Sequence, residues 1–161
     1  MVLYLNCYPY FISKIKMISI KKITAAEALP IRHQILRKGE RIEKCMYPGD
    51  DFESTFHFGL FEEEVLSGII SVFETKNNIF TDEKQFQIRG MAVLENNRKK
   101  GFGVILVCHV EAYLKKENQY TIWFNARIVA IGFYEKLGYV KIGEPFEIDT
   151  IGIHYIMYKK Q

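Results

Sequence analysis

Cysteine is scarce and badly placed for any framework. Cys7, Cys45 and Cys108 are odd in number, with no CxxC pair and no Cys/His cluster at zinc spacing. This excludes a disulfide scaffold and a zinc ribbon, and it fits reduced thiols in a cytoplasmic protein. No apolar run is long enough to cross a bilayer, so a spanning protein is not expected. Charge is nearly balanced: 22 basic against 19 acidic residues leave +3. There is no basic stripe with interleaved aromatics, so no nucleic-acid partner is expected. Low-complexity segments, linkers and internal repeats are also missing. What remains is 161 residues, 48% apolar and 25% charged, enough to bury one core.

Residues 1–16 are apolar and aromatic but lack a basic start and a small-residue cleavage site. They read as an extension of uncertain role before a single domain spanning 17–161, not as a secretory signal. Translation starting at Met17 is the alternative. Strands are predicted at 17–23, 55–61, 65–74, 86–94, 120–124, 139–142 and 154–158. Thr24-Ala25-Ala26-Glu27 has the form of a capping box, opening a helix that Gly39 stops. Pro30 either kinks that helix or marks its true start. Residues 40–53 read as a loop or short helix around Pro48-Gly49-Asp50. Glu62-Glu63-Glu64 suits a hairpin turn. Helices are predicted at 101–116 and at 127–137, the second from the i, i+3, i+4, i+7 stripe of Ala130, Phe133, Tyr134 and Leu137. The order is βα, then antiparallel strands, then βαβαβ, which gives a mixed α/β sheet.

Arg98-Lys99-Lys100-Gly101-Phe102-Gly103 lies between a predicted strand and a predicted helix. Two glycines let the backbone approach a ligand closely. A helix start presents unpaired amides and a positive dipole end. With three cations beside it, this is an anion site suited to a pyrophosphate. The competing reading of a lone Gly-x-Gly is a surface turn with solvated lysines. No Gly-Lys-Ser/Thr follows, so it is not a Walker loop. The third glycine of a dinucleotide fingerprint is missing too.

Met91-Ala92-Val93 followed by this loop resembles the acetyl-CoA motif R/Q-x-x-G-x-G/A of the GNAT (Gcn5-related N-acetyltransferase) superfamily. Asn125-Ala126-Arg127, Ala130 and Phe133-Tyr134-Glu135-Lys136-Leu137-Gly138-Tyr139 resemble its second segment, N-x-x-A…FYxxxGF. The tail Gly152-Ile153-His154-Tyr155-Ile156-Met157, with Arg89-Gly90-Met91-Ala92, is similar to an ElaA-like bacterial branch. The resemblance implies a mainly antiparallel sheet flanked by helices and splayed between its fourth and fifth strands. It implies an N-acetyltransferase using acetyl-CoA as co-substrate and a small-molecule amine as acceptor, in a homodimer. Cofactor contacts would come from Met91, Ala92, Val93, Arg98, Lys99, Lys100, Gly101, Phe102, Gly103, Asn125 and Tyr134.

Tyr134 would also protonate the leaving thiolate, although its place on the apolar stripe equally suits a core aromatic. The amine must shed a proton to a base. The family's frequent glutamate before the loop is not evident, because Arg89-Gly90 stands there. His154 and His57 are the candidates, and each is also read as a structural histidine among aromatics. His109 and His33 rank behind them. On this resemblance Arg32, Arg37, Arg89 and Arg127 line an acceptor pocket, surface or structural ion pairing being the alternative. Two other readings stand: a non-catalytic acyl-CoA-binding or sensing module, and a transferase acting on aminoacyl-tRNA or a ribosomal protein.

Overall fold

The computed structural model describes residues 17–161. The extension 1–16, and Cys7 with it, lie outside them. The elements run β1 (Ile18–Ile23), α1 (Ala25–Leu36), a 3-10 turn (Ile42–Cys45), β2 (Thr55–Glu62), β3 (Val65–Glu74), β4 (Lys84–Val93), α2 (Phe102–Leu114), β5 (Tyr120–Arg127), α3 (Ile131–Glu135), β6 (Val140–Ile148) and β7 (Gly152–Lys160). Short 3-10 turns precede α2 and α3. The strands form one sheet in the order β1-β2-β3-β4-β5-β7-β6. Every pairing is antiparallel except β4 with β5. No helix among the described residues is long and apolar enough to cross a membrane.

The capping box forms. Thr24 Oγ1 accepts from the Glu27 amide at 3.2 Å, and the Glu27 carboxylate accepts from the Thr24 amide at 2.7 Å. Pro30 sits inside α1 and the helix continues past it. Thr24→Ala is expected to lower stability by about 1 kcal/mol, read as a small fall in melting temperature. The hairpin between β2 and β3 turns on Glu63 and Glu64, at φ 50° and 66°. Two consecutive positive φ values are what a two-residue turn needs to match strand twist.

Successive residues of β3 divide the core. Ile70 joins the large cluster with Leu106, Val107 and Val110 of α2. Ile69 joins Ala28 and Ile31 of α1. Neighbouring strand residues face opposite ways, so α1 and α2 cover opposite faces.

Three expected boundaries move by three residues or more. β5 runs on to Arg127, because antiparallel pairing with β7 continues through Ala126↔Tyr155 and Arg127↔His154. The helix predicted at 127–137 is therefore a single turn, Ile131–Glu135, after a 3-10 turn. β6 is longer than 139–142. It carries Pro145 inside a register shift between Ile142 and Phe146. As the outer strand it has only one neighbour, so the missing N–H is tolerated there.

The expected splay is present. β4 and β5 are in register only from Lys84↔Tyr120 to Gln87↔Trp123. Beyond that point β4 follows β3 and β5 follows β7, and a gap opens between Ile88–Val93 and Phe124–Arg127.

Candidate active site in the splayed sheet

The gap holds a cavity of about 410 Å³. β4 supplies Gln87 to Met91, β5 supplies Phe124 to Arg127, and Tyr134, His154, Tyr47, the end of α1 and the β6–β7 turn at Ile148 and Ile151 also line it. A second cavity of about 310 Å³ adjoins it, lined by Val93, Asn97 to Lys99, Gly101 to Val104, and Phe133. Arg98 borders both.

The second cavity is the glycine loop. Lys99 has φ 63° and Gly101 has φ 81°; these left-handed residues wrap the chain into the start of α2. The first intrahelical bond there is Ile105 N–H to Gly101 O, at 3.1 Å. The amides of Phe102, Gly103 and Val104 therefore precede the ladder and face the helix mouth. A Cβ on Gly103 would stand 3.0 Å from Met91 Cε and 3.2 Å from Phe133 Cζ, so a side chain there would crowd both residues. The three cations are not equivalent. Lys100 Nζ is held by the Glu62 carboxylate at 2.9 and 3.0 Å, while the exposed Arg98 and Lys99 border the cavity. Helix amides, a bare glycine and two cations fit the diphosphate end of an acyl-CoA. The open edge of β4 fits its arm.

Tyr134 projects from α3 into the large cavity. Its ring packs on Phe124 at 4.3 Å and Phe133 at 4.9 Å, and its hydroxyl donates to Met91 Sδ at 3.4 Å. Burial pushes its pKa up to about 12, so the phenol stays protonated. His154 is buried and lines the same cavity. Its Nδ1 donates to the Gly152 carbonyl at 2.7 Å. A carbonyl can only accept, so the neutral ring carries its lone pair on Nε2. Asn125 is exposed on β5 and also lines the cavity.

His57 lies elsewhere. Its Nε2 donates to the Asp50 carbonyl at 2.8 Å, and its Nδ1 accepts from Ser71 Oγ at 2.9 Å. Both nitrogens are thus engaged, and His57 is not in the cavity wall. It belongs to a buried cluster around Arg32, which is fully covered. Arg32 donates to both Asp50 oxygens, at 2.7 and 2.9 Å, to Ser71 Oγ at 2.9 Å and to the Cys45 carbonyl at 3.1 Å. Burial opposes ionisation of Asp50, but the Arg32 guanidinium and the Tyr47 amide outweigh it and hold the carboxyl below its ordinary range. His109 packs edge-on against Phe58 at 4.7 Å, and burial lowers its pKa. His33 is bonded through Nε2 to the Glu40 carbonyl.

Sequence reasoning did not single out Tyr47. Two guanidiniums, those of Arg32 and Arg89, each lie 4.3 Å from its ring centre. Burial raises its pKa, so its phenol also stays protonated. The only prior signal was its place beside the Pro-Gly-Asp turn.

The profile of the Acetyltransferase (GNAT) family matches residues 25–139. An uncharacterized N-acetyltransferase of Bacillus subtilis, YitI, is 38% identical over 143 residues, covering 89% of this chain and 96% of that protein. Among solved structures, the ribosomal-protein-S18-alanine N-acetyltransferase of Escherichia coli superposes with a TM-score of 0.71 at 18% identity, over 89% of this chain and 94% of that one. Escherichia coli ElaA does so with a TM-score of 0.64 at 16% identity, over 89% and 99%. At such identities the structural likeness is one of fold.

Proposed function

The chain belongs to the GNAT acetyltransferase family, and on that premise we propose that it moves an acetyl group from acetyl-CoA to the primary amine of a small molecule by direct attack. One observation carries the reading: the buried phenol of Tyr134 and the ring of His154, whose Nδ1 is bonded to a backbone carbonyl, line the same cavity, in the gap between β4 and β5.

Acyl-CoA supplies an activated thioester carbonyl. The residues of this chain do the rest. His154 Nε2 accepts the proton that the amine must lose. The nitrogen lone pair forms the new C–N bond as the C–S bond breaks, and the bonding pair leaves on sulfur. Tyr134 donates a proton to that thiolate, so the products are an amide and a free thiol. The β4 backbone near Val93 polarises the carbonyl oxygen, and the cleft holds both partners in place. On the same reading, and in keeping with the family resemblance, the enzyme works in the cytoplasm as a homodimer.

A second reading is a non-catalytic acyl-CoA-binding or sensing module. It is favoured by the lack of any carboxylate base in the cavity wall among the described residues.

Calorimetric titration of acetyl-CoA into the protein tests the cofactor assignment. Wild type is expected to show saturable binding that Gly101→Glu/Gly103→Glu abolishes. Thiol release with a panel of amines then separates the two readings, since tight binding without release favours the sensor. No binding by folded wild type would sink the acyltransferase assignment.

A further inference from the structure

On the acyl-transfer reading, the acceptor enters the cleft where α1 faces the ends of β4 and β5. Three guanidinium groups line it there: Arg37 just past α1, Arg89 on β4 and Arg127 at the end of β5. None of the three borders the glycine-loop cavity, which has Arg98 and Lys99 instead. They are therefore set apart from the phosphate cradle. All three are partly buried.

None of the three has a carboxylate of its own among the described residues, although Asp50 bears on Arg89 and Glu40 on Arg37 from a distance. No aspartate or glutamate among the described residues lines the cavity. None lies within 4.0 Å of these three guanidiniums either. The nearby acids are already committed. Asp50 is gripped by Arg32 and accepts from the Tyr47 amide at 2.8 Å. Glu40 pairs with Lys44 at 2.6 Å. Arg127 Nη2 donates to the Leu36 carbonyl at 2.9 Å, which fixes its fork without neutralising it. Arg89 Cζ lies over the rings of Tyr47 and Phe73, at 4.3 and 5.3 Å; such contacts use the π-face and, with no side-chain hydrogen bond of Arg89 among the described residues, leave its N–H donors available. Burial lowers the pKa of Arg89 and of Arg127, and the charge of Arg37 presses Arg127 the same way.

A cationic acceptor such as a polyamine meets repulsion in this wall. A planar oxyanion meets forked donors of matching geometry. We propose that the acceptor is an amine that also carries a carboxylate, and that Arg37, Arg89 and Arg127 determine this specificity. Arg32 is excluded from the role because Asp50 already occupies its fork. The Tyr47 phenol is available as a further donor to the same group.

The test compares thiol release from acetyl-CoA with matched acceptors: 4-aminobutanoate and several α-amino acids, butylamine, 1,4-diaminobutane and 3-aminopropylphosphonate. The best amino carboxylate is expected to exceed its carboxylate-free analogue in kcat/KM by about 10- to 100-fold. Arg37→Gln and Arg89→Gln are expected to shrink that ratio by about tenfold, mainly through KM, while Arg89→Lys restores part of it. Among the described residues Arg37 makes no side-chain bond that its loss would break, and melting curves verify that each variant folds. A second arm titrates the amino carboxylate into CoA-saturated protein, where the same variants are expected to weaken binding. Binding lost in the variants but no turnover by wild type upholds carboxylate recognition and overturns acyl transfer. Equal or better use of butylamine or the diamine overturns the carboxylate proposal and leaves acyl transfer standing. Preference for the phosphonate overturns the carboxylate as the recognised group. Neither binding nor turnover overturns both.

Discussion

Tyr134→Phe is expected to lower kcat by about 100-fold, with little change in KM for acetyl-CoA. Only one oxygen is removed. The ring keeps its contacts with Phe124 and Phe133, and among the described residues the one bond lost is the weak one to Met91 Sδ. A collapse of the fold is therefore not the anticipated cause, and an unchanged melting curve would check that. The magnitude follows from the acidity. With its pKa near 12, the phenol is a weaker acid than the thiol it serves, whose ordinary value is about 8.5. Full transfer is uphill, so its contribution sits toward the lower end of the usual range for general acids. The same shift sets the pH profile. Tyr134 remains protonated through pH 10, so wild type should show no alkaline loss of kcat below that point from this group. Unchanged turnover in the phenylalanine variant would remove Tyr134 from the mechanism.

The second large effect concerns stability. Asp50→Ala leaves the Arg32 guanidinium fully buried and without its bidentate partner. Breaking one side of a buried pair costs about 3–5 kcal/mol. For a chain of this size that is a fall in melting temperature of about 6–20 °C. Thermal unfolding measures it; a fall of only a degree or two would show that the pair contributes little. The pH dependence has a definite sign. The folded carboxyl lies below its ordinary value, so its contribution is fully present above the unfolded value near ~3.9. It is lost as pH falls through the folded one. Wild type and Asp50→Ala should therefore converge in stability at low pH.

The parts of the site legible in the sequence are local ones. Gly101 and Gly103 announce a tight loop, Thr24 and Glu27 a helix start, and Phe133-Tyr134 the tyrosine beside the cleft. Each depends on residues a few positions apart. The illegible parts are assembled from a distance. Arg32, Asp50, His57 and Ser71 are each 7 or more positions apart, up to 39 from Arg32 to Ser71, and no periodicity marks them as one cluster. This is why His57 read as a candidate base rather than a bonded core residue. The early end assigned to β5 has the same origin. A helical stripe was present from Ala130, but pairing of Arg127 with His154 held the chain extended further than its own pattern required.

The irregularity in β4 has a consequence for how the chain tolerates length changes. Ile69 faces Ala92 and Ser71 faces Arg89, so Gly90 and Met91 together stand opposite Ile70 alone. That surplus residue is a phase shifter. It sets the outward and inward alternation of Arg89 against that of Ala92 and Val93, and Gly90 serves it with a φ of 61° while a Cβ there would stand 3.0 Å from Arg32 Nε. Deleting one residue at this point would give β3 and β4 a tidier ladder. It would also turn one half of the strand over relative to the other, so that the guanidinium of Arg89 and the backbone edge beyond Met91 no longer address the same molecule. Substitutions along β4 alter one contact at a time, whereas a change in its count by one would uncouple the two ends of the cleft.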